Sequence, residues 1–375
     1  MYTPGYIPQV ILLVLMVLGG YYFIRFLFSP CKGYCGSLLA VFIIINLIYY
    51  VLGFVIDFGV PDYSSLANQR LKYMLMAVFA FYPPHFSSVR KRMTDNKLFV
   101  WGVIYLIVAL LRFYHFRLDS IEKFGQVVTN NIGYAIACLL PTIMFFDGNI
   151  VRWLCEFVAI WFAAISAKRG AILIAIVAVF IEYFRYGKAS DEKFSIWRRV
   201  FFVLLVCVAV YFTLPILAKN DLLVHRIEYT EELGSSGRDE IAKNIWNYWL
   251  ASPSVNKFLG NGFCFSTIAS GDGHYAHNDY LEFLINFGIL GVVSYGLFVA
   301  SLMTLLPHLK DQKNRCILLL AIACLGVKSM TAGGCFGDSF LYFYIFGVFS
   351  GMVNQNKNFS PGAKDLLLSL VCVIF

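Results

Sequence analysis

The chain has 375 residues, of which 59% are hydrophobic, 17% aromatic and only 14% charged, with a mean hydropathy of +0.71. A soluble domain carries roughly 25% charged residues, so the composition excludes that class and predicts an all-α polytopic integral membrane helical bundle. The net charge of +8 comes without any arginine-rich or aromatic-interleaved stretch, which excludes a nucleic-acid partner.

Taken in order, apolar runs near the length of about 20 residues that a spanning helix needs fall at 6–28, 36–58, 71–84, 97–114, 128–146, 149–166, 170–184, 197–217, 279–306, 316–332 and 339–353. That predicts about eleven spans. The final "LLLSLVCVIF" is read as a partial twelfth or an interfacial segment. The first basic residue is Arg25, so the first run is read as a permanent helix rather than a cleavable signal. The chain divides into N-terminal transmembrane helices at 1–217, a larger outer loop at 218–275 and C-terminal transmembrane helices at 276–375.

Basic residues set the orientation. Arg90, Lys91, Arg92 and Lys97, then Arg185, Lys188, Lys193, Arg198 and Arg199, then Lys310, Lys313 and Arg315 mark three cytoplasmic connections separated by even numbers of spans. The connection 218–275 then lies on the opposite face. Its five basic and seven acidic residues give it a net charge of minus two, as that side requires.

Within this frame, "AISAKRGAIL" violates the positive-inside pattern by placing Lys168 and Arg169 at a tight outer break between two spans. One reading is a snorkelling pair that ends a helix. The other is a cationic site for a lipid-carrier diphosphate, for which an arginine fork is well shaped.

The outer loop contains "SSGRDEIAKNIWNYWLASP", where Ser236 and Asp239 make a weak capping box and Ser252-Pro253 a stop. Ile241, Ile245 and Trp249 recur at helical spacing, which predicts an amphipathic helix lying on the membrane or on the bundle. Its tryptophans read as interface anchors or, alternatively, as sugar platforms. Arg238 in the first turn is either a solvated cation or a phosphate contact that adds to the helix dipole. The following "FLGNGF" is a tight-turn signal that returns the chain to the membrane.

"GDGHYAHNDYLEFLINFGILG" then sets His277, Asn278, Asp279 and Glu282 at the mouth of an apolar run. A helix from Ala276 to Leu306 would be about 46 Å long, against a hydrocarbon core of about 30 Å, so its first turns would project above the core. His277, Leu281, Leu284 and Gly288 would form one face, with Gly288 and Gly291 admitting a neighbouring helix. His277 is open to three readings. It can be a metal ligand with His274 and Asp279 or Glu282, a plain helix-start residue, or a general base. Of the ten cysteines, most sit in apolar runs, and Cys264 with Cys335 is the pair whose sides would permit a disulfide.

The "SAKRGA" junction, the "SGRDEIAKNIW…LGNGF" loop and "AHNDYLEFLINFGILGVVSYG" together resemble the O-antigen polymerase and ligase superfamily. These are bacterial inner-membrane glycosyltransferases that act on undecaprenyl-diphosphate-linked glycans. The resemblance spans roughly residues 166 to 296.

The resemblance implies catalytic roles for Arg169 and Arg238 at the lipid diphosphate and for His277 at the acceptor hydroxyl. Asn278 and Glu282 would fix the imidazole, and Lys168, Arg226 and Tyr280 would line the substrate site. It implies no metal and no cofactor, with an undecaprenyl-diphosphate-linked oligosaccharide, membrane lipids and a chain-length regulator as partners, and an active site on the periplasmic face. The leading expectation is a polymerase of lipid-linked repeats, because such sequences are the more numerous and diverse. The alternatives are a ligase giving the glycan to lipid A core and, less well supported by the clustering of polar groups at the surface, a lipid-glycan transporter.

Overall fold

A computed structural model describes residues 6–29, 32–89, 107, 110–111, 114–116, 118, 132–145, 149–166, 168–181, 238–332 and 339–356. All regular structure among them is helical, as the composition requires. Tyr34–Leu52, Asp279–His308 and Gln312–Thr331 are each long and apolar enough to cross a membrane. The protein is an all-α polytopic membrane protein. The spans expected at 97–114 and 197–217, the basic connection 185–199, Ser236, Cys335 and the last ten residues lie largely or wholly outside the described residues.

The chain forms two compact units. The first draws on residues 1–92, 238–309 and 329–375. It contains α1 (Tyr6–Leu27), α2 (Tyr34–Leu52), α3 (Tyr63–Phe79) and α4 (Tyr82–Val89). The run expected at 71–84 is therefore divided, since Ala80 and Phe81 form a turn ahead of Pro83 and Pro84. A proline pair is tolerated in a helix's first turn and not in its interior.

In the sequence's later part the same unit holds α9 (Arg238–Ala251), α10 (Ser254–Leu259), the single turn α11 (Ser266–Ala269), α12 (Asp279–Met303) and α14 (Phe340–Asn356), with the last residues of α13 (Gln312–Thr331). α12 packs along α2 and α14 along α4. Their seams are aromatic. Phe42, Phe283 and Tyr295 meet with ring centroids 4.9–5.6 Å apart, and Phe298 stacks on Phe343 at 5.8 Å. Each such pair adds about 0.5–1.5 kcal/mol beyond burial. Within the unit, Asn46 Nδ2 donates to Phe42 O at 2.7 Å, and the Tyr295 and Ser329 hydroxyls share a 2.9 Å bond.

The second unit, from residues 93–237 and 310–328, contains α5 (Ile132–Ala137), α6 (Leu140–Ile143), α7 (Asn149–Ile165) and α8 (Arg169–Ile181). The break between α5 and α6 falls just before Pro141. Lys313 Nζ donates to Phe145 O at 2.7 Å, which satisfies a carbonyl at the end of the α6 region with a buried ammonium. A second buried pair, Arg152 and Glu156, sits one turn apart on α7 at 3.5 Å.

α12 differs from the continuous helix that its apolar run predicts. Gly288 has φ +65 and ψ −158 within it, so Asp279–Met303 is two helical segments joined at a break. A helix interrupted there frees carbonyls that the next turn would otherwise use. The "LGNG" turn supplies the missing donors: Asn261 N donates to Ile285 O and Gly262 N to Asn286 O, both at 3.0 Å. Asn261 Nδ2 adds a 3.2 Å bond to Ile285 O. Gly288 admits a neighbouring helix as expected, the last turn of α10. It admits the Phe258–Gly260 backbone, 2.4 Å from where a Cβ would stand.

Candidate active site

α9 forms where the sequence predicts it. Asp239 and Glu240 occupy its first turn, where the dipole favours acids. Ile241 and Ile245 are buried against the unit while Trp246, Tyr248 and Leu250 are exposed. Beyond its end, Ser252 Oγ donates back to Tyr248 O at 2.9 Å and Pro253 prevents continuation. Asn244 Nδ2 donates to Ser270 O at 2.9 Å, which ties the helix to the turn after α11. Arg238 is the first residue of α9, and its guanidinium donates to Thr331 O at 2.8 Å. That carbonyl is the last of α13, the negative end of its dipole, so one helix end orients the arginine that opens another.

The residues leading into α12 are not helical, contrary to the expected start at Ala276. Gly271 and Gly273 have φ of +83 and +80, and His277 itself is left-handed at +52. A non-glycine residue in that conformation costs about 1–2 kcal/mol. Asn278 then returns to extended geometry as the N-cap, and its Oδ1 accepts from Tyr280 N at 3.0 Å and Leu281 N at 3.2 Å. Asn278 Nδ2 reaches Met330 O at 3.5 Å, beside the carbonyl that holds Arg238. His277 therefore shares no helical face with Leu281, Leu284 and Gly288. Spacing alone assigned it to a stripe, and the cap one residue later removed it.

Glu282 is buried and organises this turn. Its Oε1 accepts from Ser266 Oγ at 2.7 Å, Asn286 Nδ2 at 3.1 Å and Arg70 Nη1 at 3.4 Å, while Oε2 accepts from Ala276 N at 3.0 Å. Asn286 Oδ1 completes the network by accepting from Ser266 N at 3.0 Å. The guanidinium of Arg70, from α3, lies 4.1 Å from the centre of the Tyr275 ring. That ring in turn lies 4.2 Å from the His277 imidazole, tilted by 44°. Arginine, tyrosine and histidine thus form a stack whose far end is clamped by Glu282.

The electrostatics follow from this arrangement. Partial burial is the main cause that lowers the His277 pKa to about 4, and the charges of Arg238, His274 and Arg70 push the same way against a weaker opposing pull from Glu282. At neutral pH the imidazole is uncharged between cations. It can accept a proton there, and an anion brought alongside would make it more basic.

Of the residues singled out in the sequence, Arg238, His277, Asn278, Tyr280 and Glu282 all belong to the first unit. Tyr280 is half-buried, its ring 5.8 Å from that of Tyr295. Lys168 and the backbone of Arg169 belong to the second unit, where Ser166 shapes the junction: its Oγ donates to Ala163 O at 2.6 Å and accepts from Lys168 N at 3.3 Å. The first bond of α8 runs from Ile172 N to Lys168 O at 3.1 Å, so Lys168 caps a helix that Arg169 opens. Arg226 lies outside the described residues. Cys264 is a buried free thiol. Among the described residues no three His, Cys, Asp or Glu side chains gather as metal ligands.

Sequence reasoning missed Arg70, Tyr275, Ser266 and Asn286. Arg70 precedes an apolar run and sits 212 positions before Glu282, with no local pattern to connect the two.

Residues 155–296 match the family model described as O-antigen ligase. The match covers under half of the chain and supports the O-antigen ligase and polymerase superfamily for this stretch. The O-antigen ligase family comprises glycosyltransferase-like enzymes. The match covers the Lys168–Arg169 junction, α9 and the His277 turn, and ends at Gly296 within α12. Arg70 lies outside it. No curated protein matches the chain.

Proposed function

We propose that the protein is a polymerase of lipid-linked oligosaccharide repeats, working at the outer face of a bacterial cytoplasmic membrane. The donor is a glycan on undecaprenyl diphosphate, and the acceptor is the non-reducing end of the next lipid-linked repeat. The observation that carries this reading is the His277 imidazole 4.2 Å from the Tyr275 ring, with the Arg70 guanidinium 4.1 Å from the same ring and Arg238 anchored on Thr331 O. Glycosyl transfer breaks the bond between the sugar's anomeric carbon and the diphosphate oxygen and forms one to the acceptor oxygen. The hydroxyl proton passes to His277, and undecaprenyl diphosphate leaves with increased negative charge. Fixed guanidinium groups stabilise that charge without reorganisation, and a positioned general base contributes about 10²–10⁴-fold. Arg238 serves the diphosphate.

A ligase would use the same donor and pass the glycan to lipid A core. The family match accommodates either reading. Gene deletion in the native host, with surface lipopolysaccharide separated by electrophoresis, distinguishes the two. Collapse of the ladder to core plus one repeat means polymerase; loss of every repeat, with long glycans retained on the lipid carrier, means ligase. Complementation with His277→Ala or Arg238→Ala should fail at normal membrane levels of the variant. Full glycan assembly by either variant would overturn the site.

A further inference from the structure

Arg70 has no assigned part in the transfer step, and its surroundings are built rather than incidental. It comes from α3, far in sequence from the other site residues, and its side chain is 15% exposed. Glu282, with three further donors on its oxygens, holds one edge of the guanidinium at 3.4 Å. The guanidinium lies over Tyr275 at 4.1 Å, a cation–π distance. Tyr275 is itself 41% exposed and packs its ring at 4.2 Å from His277. Tyr275 follows Gly271 and Gly273, both of positive φ, in the loop that leads into α12.

We propose that Arg70 is a positioning residue for His277, acting through the Tyr275 ring, with Glu282 setting the orientation of the guanidinium. This rests on the reading of His277 as the proton acceptor. Glu282 was expected to hold the imidazole directly; in the structure its carboxylate accepts from Ser266, Asn286, Arg70 and the Ala276 amide, so its orienting effect on His277 would pass through Arg70 and Tyr275, beside its direct electrostatic pull. The titratable and charged groups that act on the imidazole are Arg70 from α3, Arg238 from α9, His274 from its own loop and Glu282 from α12. A planar guanidinium can both stack and carry charge, which a lysine ammonium cannot do.

The test uses the full-length chain in detergent with histidine labelled at Cε1, the His277 signal being assigned by its loss in His277→Gln. Tyr275 should impose a ring-current shift on that signal. Tyr275→Phe retains it and Tyr275→Leu abolishes it. Arg70→Lys should reduce the shift while leaving the titration midpoint near its original value, because charge is kept and the planar face is lost. Arg70→Gln should reduce the shift and raise the midpoint, because a cation has been removed.

In glycan transfer from a lipid-linked repeat, Arg70→Gln should lower kcat by about tenfold with KM nearly unchanged. An unaltered His277 signal in both Arg70 variants would overturn the proposal. So would a raised KM with kcat intact, which would make Arg70 a direct donor contact. Should Arg70→Gln fail to fold, the Tyr275 pair decides, since that exposed ring is not a fold determinant. The two readings fail separately. Expected spectra with an active His277→Ala would leave the positioning role standing and remove the catalytic one, whereas unchanged spectra with an inactive His277→Ala would do the reverse.

Discussion

Gly288→Ala tests the most unusual backbone feature near the site. The residue sits at φ +65 and ψ −158, a region open essentially only to glycine, and strain there costs about 1–3 kcal/mol. A Cβ would also stand 2.4 Å from both the carbonyl carbon and oxygen of Phe258 and 2.6 Å from Gly260 N. These are backbone atoms that no rotamer change can move aside. Pushing the loop away lengthens the bonds from Asn261 N to Ile285 O and from Gly262 N to Asn286 O, each worth about 1 kcal/mol net.

The combined loss is about 3–5 kcal/mol, which corresponds to a fall in Tm of about 5 °C for a chain of this size. The assay is thermal unfolding of detergent-purified protein, with Gly296→Ala as the control. Gly296 lies in the same helix with nothing within 4 Å of its would-be Cβ, so alanine there should be neutral or slightly stabilising. If the two variants melt together, the break at Gly288 is not what joins α12 to the loop.

Further outcomes are expected from the histidine, its cap and α9. With the His277 pKa near 4, kcat/KM should stay flat as pH falls from 7 to 5 and decline only towards 4; a limb at about 6.5 would show an unperturbed imidazole. The unfolded chain takes up that proton first, so the stability contributed by neutral His277 is complete above about pH 6.5 and lost as pH falls towards 4. Asn278→Ala should cost about 1 kcal/mol through the two amides it caps, measured by denaturation, whereas a purely catalytic role would leave stability untouched. Ile245→Ala, fully buried, should cost about 2–5 kcal/mol and lower the membrane level of the protein, while Trp246→Ala on the exposed face should change stability by less than about 0.5 kcal/mol.

Properties carried by neighbouring residues could be read without the fold. Hydropathy identifies an all-α membrane protein because bilayer solvation acts on each segment separately. The span of α9, its buried Ile241 and Ile245 and its stop before Pro253 follow from helical periodicity and proline chemistry. The junction at Lys168 and Arg169 is legible for the same reason, since a serine and two cations interrupt an apolar run.

Other features depend on groups that meet only after folding. Periodicity carried α12 back through His277 and on through Gly288. The helix in fact begins after the Asn278 cap and breaks where the Gly260 turn supplies donors to the Ile285 and Asn286 carbonyls. Arg70 could not be found from its neighbours, because its partner Glu282 is 212 positions away and its stacking ring lies on a loop with no period at all. Local propensity reaches about one helical turn along the chain, whereas a buried carboxylate takes whichever donors the fold brings within 3.5 Å. The candidate histidine could therefore be singled out in sequence, and the rings and charges packed beside it were decided by tertiary packing.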